Sequence, residues 1–525
     1  MSVELIKDSF EFEQVVGESI AQTIVEGDIL VPDTKPDITR VLSVDARVEL
    51  NKQKVEDGKI AVEGITYFRI LYVSENEEQP LYSIDSSAGF KHDIEIDGIG
   101  AEMKGEVTAD VEHIDFTINN ERKIGVKAII NLIGKGIEQR TVEITKDLAG
   151  LEDIQVLKET FQYTDIVGVD RSEALVKDGF ELGEEEHEIG EILKWDATVS
   201  ERETRITDGK IIVGGIVNLE LLYVDEGYDD RLKVIKREIP FTHFVDIANI
   251  SEDMQYRVRL SMDELYHDVK ENIRGEKKIV EIEGVVKVET KVMDTQSREI
   301  LVDAYSLSKE LEILEGQIEL RENVGMNRVN VLVRETLDIP PGSSSIAEVF
   351  SINVKPILMD YNATMDKVAI EGILEVTIIY KAMEELRPLY SFAREVPFRH
   401  YIELEGASEG MEAVVDLFID EVDYSIVNGE QVEIKVNTGA ICEVFYTKSI
   451  NVISGIEETE EKVDLKNRPS LTVYYMQPED TLWKIAKTYH TTVPKIIETN
   501  QIEDPVELKV GDHIIIEKVH SFKFL

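Results

Sequence analysis

The chain repeats itself three times, and that fact constrains its fold more than any other. Setting residue 17 on 168 (offset 151) and 168 on 325 (offset 157) gives an ungapped register over roughly a hundred positions. Val16-Gly17 coincides with Val167-Gly168 and Val324-Gly325, and Ile38 with Ile189 and Ile346. The run KIAVEGI at Lys59 matches KIIVGGI at Lys210 and KVAIEGI at Lys367. Eight residues after the shared Gly64, Gly215 and Gly372 come Tyr72, Tyr223 and Tyr380. An F-x-H follows in each copy: Phe90/His92, Phe241/His243 and Phe398/His400. Met103, Met254 and Met411 keep the same register. Composition does not produce such coincidences.

The repeated unit reads as β structure. Around Lys59 the apolar positions alternate, and β-branched and aromatic residues are enriched. Asp57-Gly58 and Asp208-Gly209 suit tight hairpin turns, because glycine accepts positive φ freely. The third copy has Met365-Asp366 there and is expected to turn differently. Each unit opens with an alternating apolar pair, Phe10/Phe12, Phe161/Tyr163 or Ile318/Leu320. The expected fold class is mainly β: three tandem β-sandwich-like domains at 1–149, 150–308 and 309–454. Each is expected to hold eight or so strands and a short helical turn from about Asp37 to Leu42. Units of this length bury their own cores, so they are expected to hang like domains on a string.

Charge and motifs narrow the function. Asp and Glu number 106 against 57 Lys and Arg, a net charge of −49, which repels phosphate and excludes nucleic acid as a main partner. No apolar run of ~18 residues exists, so no membrane insertion is expected, and the N-terminus lacks a signal-peptide pattern. Cys442 is the single cysteine and has no partner for a disulfide or a Cys-rich zinc site. Phosphate-loop, nucleophile-elbow and zinc-protease motifs are missing, so neither enzymatic activity nor a cofactor is expected. His92, His243 and His400 recur one per copy, without a second ligand at metal spacing, and are expected to be structural and hydrogen-bonded.

After Ser454 the sequence changes character. Residues 455–470 are polar and acidic, which suggests an exposed linker, and 471–518 read as strand, helix, helix, strand. Asp480 is the expected N-cap of the first helix, and Thr492 of the second with Pro494 in its first turn. This small α+β (βααβ) module resembles the LysM family in QPEDTLWKIAKTY from Gln477, IIETNQ, and LKVGDHIII from Leu508. That family binds N-acetylglucosamine polymers in a shallow groove between two loops. The resemblance places Glu479, Asp480, Thr481 and Leu482 on one loop and Ile502 through Leu508 on the other, with Trp483 beside them. Most members have glycine at the position of Glu479 and proline at that of Val510. The carboxylate obstructs close approach to an acetamido group, which weakens the glycan reading.

Three β repeats followed by LysM resemble the clostridial spore-coat morphogenetic SipL family, whose repeats are called SPOCS domains. The resemblance implies a non-enzymatic scaffold in the mother-cell cytoplasm, at the surface of the forespore and its coat. Its implied partners are the spore-coat morphogenetic ATPase of the coat basement, bound through LysM, and other coat proteins. Peptidoglycan is the alternative ligand.

Overall fold

A computed structural model describes residues 3–74, 81–150, 153–226, 232–383, 389–462, 469–503 and 508–518. Repeat 1 consists of β1 (Glu4–Leu30), β2 (Arg40–Glu56), β3 (Lys59–Val73), β4 (Leu81–Glu95), β5 (Lys104–Asn120) and β6 (Lys123–Ala149). In repeat 2 the strands are β7 (Ile154–Glu181), β8 (Ile189–Thr207), β9 (Lys210–Asp225), β10 (Leu232–Asp246), β11 (Gln255–Glu271) and β12 (Lys277–Ser306). Repeat 3 follows with β13 (Lys309–Asp338), β14 (Ile346–Thr364), β15 (Lys367–Ala382), β16 (Leu389–Glu403), β17 (Glu412–Asn428) and β18 (Gln431–Lys462).

Each repeat builds two three-stranded antiparallel sheets, ordered β1-β6-β5 and β2-β3-β4 in the first, and these face each other across an apolar core. Six long strands replace the expected eight, because runs that look separable in sequence continue through bulges as one strand. The expected helical turn at Asp37–Leu42 is not formed. Residues 33–34 make a turn and β2 begins at Arg40, with the Tyr72 hydroxyl donating to the Pro36 carbonyl (3.0 Å). Tyr72, Tyr223 and Tyr380 are core residues.

The recurring glycines share one structural cause. Gly64, Gly215 and Gly372 pair across the sheet with Phe90, Phe241 and Phe398. On their other side lies a bulge, at Leu50/Lys52, Glu201/Glu203 and Leu358/Asp360. A Cβ on Gly64 would stand 2.6 Å from the Phe90 ring and 2.7 Å from the Glu49 carbonyl, and the other two are as crowded. The phenylalanine ring thus lies over the glycine, and no side chain fits beneath it.

The third hairpin turns like the other two. Asp366 takes the left-handed φ of 56° that Gly58 (81°) and Gly209 (74°) adopt. Its N–H donates to Ala407 and its carbonyl accepts from Leu404, as Gly58 does with Ile99 and Ile96. Aspartate tolerates this conformation better than most residues, so the expected difference does not arise.

The repeats do not hang on a string. They close on one another, 1 against 2, 2 against 3 and 3 against 1. Strands β5, β11 and β17 break register at equivalent places, Val111/His113, Met262/Glu264 and Ile419/Glu421. Such a bulge disrupts the ladder locally and leaves an extra residue unpaired. Each time the neighbouring repeat donates to a carbonyl there: Lys355 to Val111, Arg47 to Asp263, and Asn218 to Asp420 (3.4 Å). Head-to-tail contacts of this kind generate rings when the rotation closes.

Two apolar clusters draw on all three copies. One contains Leu42 and Leu71 of repeat 1, Leu193 and Leu222 of repeat 2, and Phe350 and Ile379 of repeat 3. The other lies where β1/β6, β7/β12 and β13/β18 run past their third strands as two-stranded ribbons. There the opening pairs Phe10/Phe12, Phe161/Tyr163 and Ile318/Leu320 meet, with Phe10 and Tyr163 rings 4.6 Å apart. The linker expected from residue 455 also changes. Strand β18 runs on to Lys462, and Glu457 still pairs with Glu312 of β13, so the first part of that stretch continues the ribbon, and residues 463–468 lie outside the described residues.

Candidate binding site

The C-terminal module is β19 (Leu471–Tyr475), α1 (Leu482–Tyr489), α2 (Val493–Asn500) and β20 (His513–Glu517). Both helices are capped by threonine hydroxyls, Thr481 accepting from Lys484 N (3.1 Å) and Thr492 from Lys495 N (3.3 Å). Asp480 is therefore not the N-cap. It braces the preceding turn, accepting from Gln477 N (2.8 Å) and the Tyr474 hydroxyl (2.7 Å), and the latter bond foremost holds its carboxyl below the ordinary range. Asn500 ties α2 to β20 through bonds to Ile496 O (2.9 Å), Ile515 O (2.7 Å) and Ile515 N (2.7 Å). Met476, Leu482, Ile485, Ala486, Ile496, Ile514 and Ile516 form the core.

Two loops border the candidate groove. On the first, Glu479 and Thr481 are exposed, and Glu479 adopts φ +67°, a left-handed conformation that favours glycine. On the second, Ile502 and Leu508 are half-buried against the core, and Asp504–Glu507 lie outside the described residues. Leu482 is buried within the core itself. Trp483 points elsewhere.

Trp483 belongs to a seat that sequence reasoning missed. Its Nε1 donates to Asp303 Oδ2 (2.6 Å), and Lys487 Nζ pairs with Asp303 Oδ1 (2.6 Å). The Tyr305 ring stands edge-on to the indole at 4.9 Å, and the Tyr305 hydroxyl donates to Thr491 O (2.7 Å). Burial, with Asp303 nearby, raises the Tyr305 phenol above its ordinary range. His490 completes the seat, with Nδ1 3.0 Å from Ser306 O and Nε2 3.2 Å from Glu310. The module thus docks on the end of β12 and the start of β13. These segments lie some 180 residues from Trp483 in sequence, and nothing in the repeat register marks Asp303 or Tyr305.

The model of the SipL SPOCS domain matches residues 37–119, 188–270 and 345–427, and the LysM-domain model matches 474–517. The chain carries three SPOCS domains matching the SipL model and one LysM domain. Each SPOCS match spans the second to fifth strands of a repeat and stops short of the ribbons. SPOCS and LysM are non-catalytic binding domains, and together they fit a spore-coat-related protein with a peptidoglycan-binding type of module. No curated protein and no solved structure matches the chain. No helix among the described residues is long and apolar enough to cross a membrane.

The remaining candidates carry little chemistry. His243 accepts or donates a bond with Ser172 Oγ (2.9 Å), and burial lowers its pKa; His92 and His400 are half-buried in the equivalent strands. Among the described residues no cluster of three metal-ligating side chains occurs. Cys442 is fully buried, and burial pushes its thiol up to about 12, which leaves it unreactive at neutral pH.

Proposed function

We propose that the chain is a non-enzymatic scaffold of the spore coat, acting at the forespore surface from the mother-cell cytoplasm. Its LysM domain docks a protein there, the coat-basement ATPase, and the SPOCS body engages other coat proteins. The observation that carries this reading is Glu479. An exposed carboxylate stands at the loop position where the family has glycine, on backbone already in the glycine conformation. A neutral sugar laid on that loop would strip water from the carboxylate without pairing it. A protein can instead oppose it with a basic group at a hydrated rim.

Leu482 is spent on the core and Trp483 on the seat, so the apolar anchors fall to Ile502 and Leu508 across from Glu479 and Thr481. Peptidoglycan binding through the same two loops is the second reading, favoured by the LysM match itself. Titrating an N-acetylglucosamine hexamer into the full-length protein and its Glu479→Gly variant separates the two. The scaffold reading expects negligible binding by the native chain and a gain in the variant. Tight glycan binding by the native chain overturns it.

A further inference from the structure

Where the three repeats meet, equivalent positions hold unlike residues. Ser43, Lys194 and Ser351 occupy one register position, at offsets 151 and 157, and are 7%, 4% and 4% exposed. A bulge directs each of them, at Val41/Ser43, Ile192/Lys194 and Val349/Ser351. The residues just before them, Leu42, Leu193 and Phe350, lie in the apolar cluster shared by all three copies. Two positions further on stand Asp45, Asp196 and Asn353.

The polar side chains link the copies in one chain. Ser43 Oγ donates to Asp45 Oδ2 (3.3 Å), Lys194 Nζ lies 3.2 Å from Asp45 and 3.3 Å from Asp196, and Ser351 Oγ donates to Asp196 (3.2 Å). Lys194 is thus the one cation among the three equivalent positions, shared by aspartates of two different repeats.

We infer that Lys194 determines which repeat occupies which place in the ring, and so keeps the closing faces from accepting a non-equivalent repeat of a second copy of this chain. The three interfaces reuse one geometry, so the face of repeat 3 that receives repeat 1 of its own chain is shaped to receive repeat 2 of another chain as well. Geometry alone does not tell the three repeats apart. Charge does. Placing repeat 1 where repeat 2 belongs leaves a half-buried aspartate with no lysine, and placing repeat 2 twice brings two buried lysines together. Removing one partner of a buried pair is strongly destabilising, whereas replacing the whole set by neutral groups is often tolerated. Serine or asparagine at every place would leave all orders equally acceptable.

The test refolds the full-length chain from denaturant at micromolar concentration and measures the monomer fraction by light scattering after gel filtration. The variant Lys194→Ser/Asp45→Asn/Asp196→Asn is neutral and uniform at these positions. It should regain native circular dichroism but lose monomer several-fold to higher species as concentration rises. Lys194→Arg keeps the charge in place and should refold as the native chain does. Full monomer recovery by the triple variant overturns the inference. So does an equal monomer loss in Lys194→Arg, because shape rather than charge would then select the closure.

Discussion

Trp483 and Asp303 are joined by a 2.6 Å hydrogen bond across 180 residues of sequence, and that bond fixes the LysM domain to the ribbon of the second repeat. The same carboxylate pairs with Lys487, so a single side chain holds two consecutive turns of α1. The LysM domain is consequently presented in one orientation instead of swinging on a tether, with Glu479 and Thr481 on its exposed side.

Replacing Asp303 by alanine should open this seat while leaving the LysM core intact. Losing the indole bond and a partly screened ion pair should cost about 1–2 kcal/mol. In a Trp195→Phe background Trp483 is the sole indole. Acrylamide quenching of its fluorescence should rise in the variant at unchanged far-ultraviolet circular dichroism. Unchanged quenching would show that the aromatic contact with Tyr305 suffices.

The glycine–phenylalanine pairs should be intolerant of any Cβ. Gly215→Ala places a methyl carbon 2.5 Å from the Phe241 ring and 3.0 Å from the Ser200 carbonyl. Overpacking of this kind costs roughly 1–3 kcal/mol. Thermal unfolding should detect the loss, and Gly215→Ala/Phe241→Leu should recover part of it by vacating the ring.

The contribution of two buried histidines to stability should fall on mild acidification. Burial lowers the pKa of both His243 and His267, so the folded chain binds fewer protons there than the unfolded chain. The stabilisation is complete above the unfolded value of about 6.5 and is lost as pH falls from there towards the depressed folded values. Between pH 7.5 and about 5 the denaturant midpoint of the native chain should fall relative to that of His243→Gln/His267→Gln.

Much of this architecture was legible because it is local and periodic. Alternation around Lys59 predicts β3, the 151 and 157 offsets predict three like units, and Thr492 with Pro494 predicts the start of α2. The same offsets mark Gly64, Gly215 and Gly372, which sit beside a bulge with a close approach to a phenylalanine ring. What escaped sequence reasoning depends on surfaces that meet only across copies. Phe10 and Phe12 alternate like residues of a private core, yet they pack on Phe161 and Tyr163 of the next repeat. Nothing within one unit distinguishes those two fates. Trp483 shows the same limit at the candidate site: its helical position fits a half-buried residue as well as an aromatic rim, and only the distant Asp303 and Tyr305 show what it packs against.

The central claim is that the LysM loops bind protein and not wall glycan. Its most direct test is a side-by-side titration of the full-length chain with the purified coat-basement ATPase and with an N-acetylglucosamine hexamer. The account expects saturable, salt-sensitive binding of the ATPase, weakened about thirtyfold (~2 kcal/mol) by Ile502→Ala or Leu508→Ala if each is an anchor, and no measurable glycan binding. Micromolar binding of the hexamer with none of the ATPase would contradict it.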